Sequence, residues 1–336
     1  MPETSSARIG VLLPRDLPID QLLPYARRAD ELGFDELWLV EDLGFRSGIA
    51  QAGAVLAATE RITVGVGILP AGARNAAFSA MEIGTLGQLF PNRFIAGIGH
   101  GMPVWMRQIG AWPASPLTLL AEYTTAVRAL LRGEAGPAAG RYVNVEGVVL
   151  DELPASVPPV LLGVRGPKSL AVAGAVADGV VLAEPAAPPY IAAARGHVRA
   201  GAAGHAGTAA AVAAGTTGPN VTTYDVAAVR EDAATAIARV RPGLAWIGEP
   251  DWAPHLVGLP FAEELARLRQ QCSGPDEFAT RLPDEWVAEL ALAGTSAQVR
   301  ERIADRHEAG ATTVVLTPVG DDRLGELERL AEVLPG

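Results

Sequence analysis

Apolar residues follow two alternating patterns along the chain. Short continuous apolar runs, typical of strands buried on both faces, occupy residues 9–14, 36–40, 62–68, 93–99, 160–164, 179–183 and 312–317. Between these runs apolar positions return every three or four residues, which predicts helices such as 20–33, 117–132 and 299–309. We expect one further strand within residues 209–217, where an alanine-rich sequence hides the period.

The order of these elements is strand then helix almost throughout. Such alternation predicts a parallel sheet covered by helices, and eight strands favour the α/β class with a (β/α)₈ TIM barrel. A doubly wound open sheet is the alternative, but it needs fewer strands. We expect a single domain over residues 1–336, with an insertion at approximately 242–292 that lies before the last strand and over the barrel mouth.

Composition excludes several classes of partner. The formal net charge of −11 argues against non-specific binding to nucleic acid or anionic membranes. No apolar run reaches the roughly 20 residues of a membrane span, and the polar start of the chain does not resemble a signal peptide. Cys272 is the only cysteine, and no metal-binding motif is present. These features predict a soluble, cytoplasmic protein that binds a small molecule and no metal.

Barrel enzymes carry their chemistry on the loops that follow the strands. After the fourth predicted strand, glycines at positions 97, 99 and 101 surround His100. Glycines here allow either a flat ring to approach the backbone or close packing between strand and helix. Because histidine titrates near neutral pH, His100 is a candidate acid or base. The other histidines fall on predicted helices or the insertion, where we expect structural roles.

Two further strand ends carry candidate groups. Glu41 and Asp42 follow the second strand, and since successive strand residues point to opposite faces, at most one enters the mouth. The fifth strand runs into a turn that opens a helix, where backbone N–H groups attract an anion. Two cations of this turn, one of them the only lysine of the chain, strengthen a predicted phosphate site formed by Gly163, Val164, Arg165, Gly166, Pro167 and Lys168.

Several segments resemble the luciferase-like monooxygenase family. Residues 26–42 read A-R-R-A-D-E-L-G-F-D-E-L-W-L-V-E-D, and residues 89–101 read L-F-P-N-R-F-I-A-G-I-G-H-G, similar to the family's first helix with second strand and to its fourth-strand motif. Residues 65–77, 177–182 and 293–302 resemble other family segments in the right order. The G-H-G-M-P-V-W-M run at 99–106 is similar to the actinobacterial deazaflavin-dependent group.

The resemblance implies a flavin-type cofactor at the barrel mouth. That cofactor would be coenzyme F420 or, alternatively, FMN. By the same resemblance, Gly67–Ile68 forms a non-proline cis peptide behind the cofactor ring, the glycines around His100 line the ring site at Gly99 and Gly101, and residues 163–168 hold the phosphate. Family members often form homodimers, which makes a homodimer an expectation here.

The expected function is hydride transfer between F420 and a small organic substrate. Many F420-dependent dehydrogenases have Asp-His after the second strand, but the aligned pair here is Glu41 and Asp42, and Met102 replaces an acidic residue. These departures weaken a sugar-phosphate dehydrogenase interpretation and leave His100 or Asp42 to move the proton. The alternatives are an FMN-dependent monooxygenase that uses reduced flavin and oxygen, or a cofactor-binding protein without catalysis. Tryptophans at 105, 112, 246, 252 and 286 suggest an apolar pocket.

Overall fold

The computed structural model describes residues 7–204 and 219–335. Its strands are β1 Arg8–Leu12, β2 Glu36–Leu39, β3 Thr63–Pro70, β4 Phe94–Gly99, β5 Val160–Gly163, β6 Gly179–Leu182, β7 Asn220–Val229, β8 Leu292–Gly294 and β9 Thr313–Pro318. The helices of the first two thirds are α1 Ile19–Leu32, α2 Gly48–Ala58, α3 Ala76–Leu89, α4 Pro103–Gln108, α5 Pro116–Leu131, α6 Pro167–Val176 and α7 Pro188–Ala203.

The last third is mostly helical. Its helices are α8 Ala233–Val240, α9 Ala262–Gln270, α10 Pro275–Arg281, α11 Asp284–Leu290, α12 Ser296–Ala309 and α13 Arg323–Ala331, with 3₁₀ helices at Arg241–Leu244 and Pro250–Leu256. Local sequence explains several boundaries: Gly33 and Gly310 end α1 and α12 with φ values of 98° and 115°, and Thr295 with Gln298 forms a capping box at the start of α12.

Eight parallel strands close into a barrel, which confirms the predicted fold. Strands β1 to β6 pair in chain order, β6 pairs with β7, β7 with β9, and β9 with β1. The short β8 pairs with the end of β7 outside this ring. All of these pairs are parallel, so the carboxyl ends of the barrel strands open at one mouth.

The seventh barrel strand lies later in the chain than predicted. Residues 209–217, where we expected it, fall outside the described residues, and the strand that completes the barrel is Asn220–Val229. Its sequence N-V-T-T-Y-D-V-A-A-V is rich in β-branched residues, which fit a buried strand. The prediction was placed in the preceding alanine-rich stretch and missed these β-branched residues.

The protein contains two large apolar cores. The larger one joins the barrel strands to the surrounding helices. A second core lies in the stretch predicted as an insertion, where apolar side chains of residues 236–293 pack against Val226 near the end of β7 and Val319 after β9. Whether this stretch is a separable unit of one domain stays a prediction. Among the described residues, no helix is both long and apolar enough to cross a membrane.

A buried ion pair joins the barrel to the helix behind it. Nε of Arg306 on α12 lies 2.8 Å from Oδ1 of Asp225 on β7, and both side chains are almost fully buried. Thr223 donates a further hydrogen bond to the same carboxylate. Losing either partner would leave a buried charge uncompensated. The pair therefore holds β7 against α12 and fixes which side chains of β7 point into the barrel.

Candidate functional site

The barrel interior ends below the mouth in a floor of large side chains. Trp38 and Tyr224 pack edge to face, with ring centroids 5.7 Å apart, and the layer also contains Leu12, Ile95, Leu161, Val181 and Val315. The Tyr224 hydroxyl is buried without a hydrogen-bond partner. A Cβ added at Gly67 would lie 2.1 Å from this hydroxyl, so the tyrosine tip reaches the backbone of β3 at the mouth.

The glycines of the predicted ring site are held by protein contacts. The Gly67–Ile68 peptide is cis, as predicted. The Ile68 side chain lies against β4 and β5, where a Cβ at Gly99 would be 2.9 Å from Ile68 Cγ1 and one at Gly163 would be 2.2 Å from Ile68 Cγ2. Gly101 has a φ of 71°, a conformation that favours glycine. Close packing therefore explains Gly99 and Gly163.

His100 follows β4 at the mouth and is half-buried. Burial lowers the pKa of its imidazole, and a hydrogen bond to the Pro116 carbonyl opposes that change. The ring is consequently neutral at physiological pH and is held by the start of α5. The structure thus places His100 where the sequence predicts it; its catalytic role stays a prediction.

The two carboxylates after β2 point in different directions. Glu41 accepts hydrogen bonds from the two terminal guanidinium nitrogens of Arg74, at 2.5 and 2.7 Å, and from the Gly48 N–H at the start of α2, at 2.7 Å. Asp42 forms an ion pair with Arg15 at 2.5 Å. Since Glu41 is taken up by contacts that hold α2 and Arg74, Asp42 is the carboxylate of this pair that remains near the mouth.

The predicted phosphate turn joins β5 to α6. Gly166 precedes α6 with no side-chain cap, so the first N–H groups of the helix lack a protein acceptor there. The Arg165 guanidinium lies 4.6 Å from the ring centroid of Trp252, and Lys168 is exposed. Within residues 7–204 and 219–335 neither cation pairs with a carboxylate, so this turn presents unneutralised positive charge.

The 3₁₀ helix Pro250–Leu256 forms one wall of the mouth. Trp252 Nε1 donates to the Glu184 carbonyl at 3.3 Å, and His255 Nδ1 lies 3.0 Å from the Pro185 carbonyl. Arg165 donates to the Asp251 carbonyl at 3.3 Å. Of the tryptophans in the predicted insertion, Trp286 stacks on Phe261 in the second core, whereas Trp252 reaches the loops of β5 and β6.

Glu184, two residues after β6, is a mouth residue that sequence reasoning left out of the candidate set. Burial is the main cause that raises the pKa of its carboxyl, and the charge of Asp225 raises it further. A lone glutamate after an apolar strand carries no motif, so only the closure of the barrel reveals these surroundings. Apolar side chains in the connections that follow β2 and β4 are exposed, namely Leu43, Phe45, Met102 and Val104.

Comparison with known proteins identifies the family. The family model for luciferase-like monooxygenases matches residues 4–313. The chain belongs to this family. The resemblance predicted from the sequence is therefore confirmed, and with it the prediction of a luciferase-like oxidoreductase. No group of three or more potential metal ligands occurs among the residues described.

Some relatives match almost the whole chain and others about half of it. It is 27% identical to the 5,10-methylenetetrahydromethanopterin reductase of Methanolobus tindarius, over 96% of this chain and 98% of that protein. It is 28% identical to the F420-dependent glucose-6-phosphate dehydrogenase of Microbacterium testaceum, over 48% of this chain and 52% of that protein. The coenzyme F420-dependent tetrahydromethanopterin reductase of Methanopyrus kandleri has the same fold, with a TM-score of 0.79 at 21% identity over 98% of each chain.

Proposed function

We propose that this chain is an F420-dependent oxidoreductase that transfers hydride between the coenzyme and a small organic substrate at the barrel mouth. Relatives of this chain carry F420 dependence in their names. The observation that carries the proposal is the β5–α6 turn, where an uncapped helix start lies beside Arg165 and Lys168 in a chain of net charge −11. In a chain of net negative charge, local positive charge at a helix start favours an anionic group at this turn.

The donor set of the turn fits the phosphate of the coenzyme. No side chain caps the start of α6, and a Cβ at Gly166 would meet nothing within 4 Å, which leaves open space at the helix start. Arg165 and Lys168 would supply charge to the phosphate. The deazaflavin ring supplies the hydride chemistry when it is bound, while the protein orients it and excludes water.

Other residues of the chain would exclude water from the ring site and contact the substrate. Trp38 and Tyr224 close the barrel below the ring site, so water cannot enter from beneath. The 3₁₀ helix around Trp252 shields the mouth from the side. The exposed apolar residues Phe45 and Met102 favour a substrate with an apolar part.

FMN with oxygen is the second candidate, because the family is named for luciferase-like monooxygenases. FMN also carries a phosphate, so the turn does not distinguish the two cofactors. Titration of the purified protein with each cofactor does, since deazaflavin and flavin differ in absorption and fluorescence. Tight F420 binding without turnover of any substrate offered would favour a binding protein.

Lys168→Ala tests the phosphate turn. Because Lys168 is exposed, we expect F420 affinity to fall about two- to fivefold, the effect of a solvent-screened contact of up to about 1 kcal/mol, and the difference to shrink at high salt. Fluorescence titration measures the dissociation constant. Arg199→Ala, which removes an exposed cation from α7, is the matched control and should leave the affinity unchanged.

Chemical labelling gives an independent readout. Lys168 is the only lysine, so an amine-specific acylating reagent reports this side chain and the amino terminus alone. F420 should protect Lys168 and not the amino terminus, as measured by peptide mass spectrometry. Unchanged affinity together with unprotected labelling would place the phosphate elsewhere.

A further inference from the structure

Glu184 is a carboxylic acid at the barrel mouth to which the proposed function gives no role. It follows β6, its side chain is half-buried, and among the described residues it forms no ion pair and no hydrogen bond with another side chain. Beside it on β7 is Tyr224, which is 5% exposed and whose hydroxyl lacks a partner. The half-buried Glu184 carboxyl just after β6 and the buried, unpaired Tyr224 hydroxyl on the neighbouring strand β7 therefore lie at the rim and floor of the site.

The groups predicted to move a proton are engaged elsewhere. Asp42 is paired with Arg15 at 2.5 Å. His100 bonds the Pro116 carbonyl and is held neutral by burial. Glu184, by contrast, has no ion-pair partner among the described residues, so its carboxyl is available to exchange a proton.

The surroundings of Glu184 suit that task. Charged or titratable groups face it from β7, from the loops after β2 and β5 and from the 3₁₀ helix, namely Tyr224, Asp225, Asp42, Arg165 and His255. Of these, Asp225 is paired with Arg306 at 2.8 Å, and Arg165 lies over the Trp252 ring. Burial is the main cause that raises the pKa of the Glu184 carboxyl; the charges of Asp225 and Asp42 add to it, and the residue's own backbone N–H and Arg165 oppose it. A raised pKa favours a carboxyl that both gives up and takes up a proton.

We propose that Glu184 exchanges the proton of the substrate oxygen, and that the substrates are alcohols and their carbonyl products. This inference rests on the proposed F420-dependent function. In the oxidation, the C–H bond breaks and its hydrogen leaves with the electron pair to the coenzyme, which is reduced. The O–H proton passes to the Glu184 carboxylate, and the C–O bond becomes C=O. Reduction of a carbonyl runs the same steps in reverse.

This assignment separates two substrate classes. Hydride addition to a cationic C=N group already gives a neutral product, so it needs no proton from the protein. Hydride addition to a neutral carbonyl leaves an alkoxide, which a nearby acid must protonate. A carboxyl with a raised pKa serves the second reaction, and its role gives opposite pH profiles for the two directions: oxidation rises with pH through the Glu184 pKa and reduction falls.

Three variants test the proposal in the presence of F420. Glu184→Gln keeps the side-chain shape without an exchangeable acid, and Glu184→Asp keeps the acid. Glu264→Gln removes an exposed carboxylate of α9 as a control. Fluorescence titration gives F420 affinity, and infrared difference spectra of parent and Glu184→Gln between pH 4 and pH 8 give the Glu184 pKa. Turnover is measured with 2-propanol, cyclohexanol and benzyl alcohol, and with their carbonyl products.

We expect all variants to bind F420 alike and Glu184 to titrate clearly above the ordinary glutamate value of about 4.3. The kcat of Glu184→Gln should fall about 10²-fold or more with KM little changed, and Glu184→Asp should retain more activity. Titration at or below the ordinary value, or full turnover by Glu184→Gln, would overturn the inference. A parent that fails to bind F420 defeats the proposed function itself. A parent that binds F420 but turns over none of these compounds overturns the assignment of alcohols and carbonyls as the substrates.

Discussion

His255 shows how the tertiary structure changes a single side chain. It is fully buried, its ring centroid lies 4.6 Å from that of Tyr190, and its Nδ1 is 3.0 Å from the Pro185 carbonyl. Burial lowers the pKa of this imidazole to about 4. The histidine therefore stays neutral in the folded protein and acts as a structural tie between the 3₁₀ helix and the β6 loop.

This lowered pKa makes stability depend on pH. At pH 5 a histidine in the unfolded chain binds a proton that folded His255 does not, so acidification from pH 7.5 favours unfolding. The full contribution is present above pH 6.5 and about 2 kcal/mol of it is lost at pH 5. In His255→Gln the loss of unfolding free energy between pH 7.5 and pH 5 should be smaller by that amount, as measured by urea denaturation. His197→Gln, at an exposed position, should behave like the parent; equal losses in all three proteins would refute the assignment.

At the scale of elements, β3, β4 and β5 are locked together by one side chain. Ile68 fills the space that side chains at Gly99 and Gly163 would occupy. Residue pairing between β3 and β4 shifts register between Val66 and Leu69, which brings Ile68 into this position. Glycine at positions 99 and 163 therefore leaves room for the Ile68 side chain between the strands.

Gly163→Ala should destabilise the fold because its Cβ would lie 2.2 Å from Ile68 Cγ2. Overpacking of this kind costs about 1–3 kcal/mol. Gly166→Ala, three residues later and with nothing within 4 Å of the added Cβ, should be nearly neutral. Denaturant unfolding measures both, and adding Ile68→Ala to Gly163→Ala should recover part of the loss. Equal stability of the two alanine variants would show that β3 gives way at no cost.

At the scale of the whole molecule, the barrel and the helices of residues 241–290 meet at the mouth. Their shared core includes Val226 and Val319, and Trp252 adds the contact with Arg165 and the bond to the Glu184 carbonyl. The Trp252 indole thus connects the 3₁₀ helix to the β5–α6 turn and to the backbone after β6.

Trp252→Ala should loosen this wall and leave the barrel intact. A cation–π contact and one hydrogen bond together stabilise the closed wall by about 1–2 kcal/mol, so amide hydrogen exchange within residues 250–256 should accelerate about tenfold. Mass spectrometry of exchange locates the effect, and Trp246→Ala, at a 59% exposed side chain, is the control. Faster exchange throughout the barrel strands, or none in this segment, would contradict the expectation.

Local pattern by itself determined most of the fold. Continuous apolar runs and helical periods are properties of neighbouring residues, so seven of the barrel strands and the family resemblance could be predicted from them. The turn at Gly163 to Lys168 was also predictable, because glycine, proline and charge at a helix start have local consequences. Before Asn220 the sequence is rich in alanine, so apolar and polar positions do not alternate clearly. For that reason the predicted position of the seventh barrel strand was wrong.

The surroundings of side chains were decided by closure of the barrel. The pairing of β6 with β7 and of β7 with β9 brings Glu184 beside Tyr224 and Asp225, which lie about 40 residues later in the chain. Burial, ion pairing and pKa depend on these distant neighbours, and sequence spacing does not encode them. For the same reason the sequence does not show that the adjacent residues Glu41 and Asp42 have different partners. Glu41 binds the start of α2, whereas Asp42 pairs with Arg15.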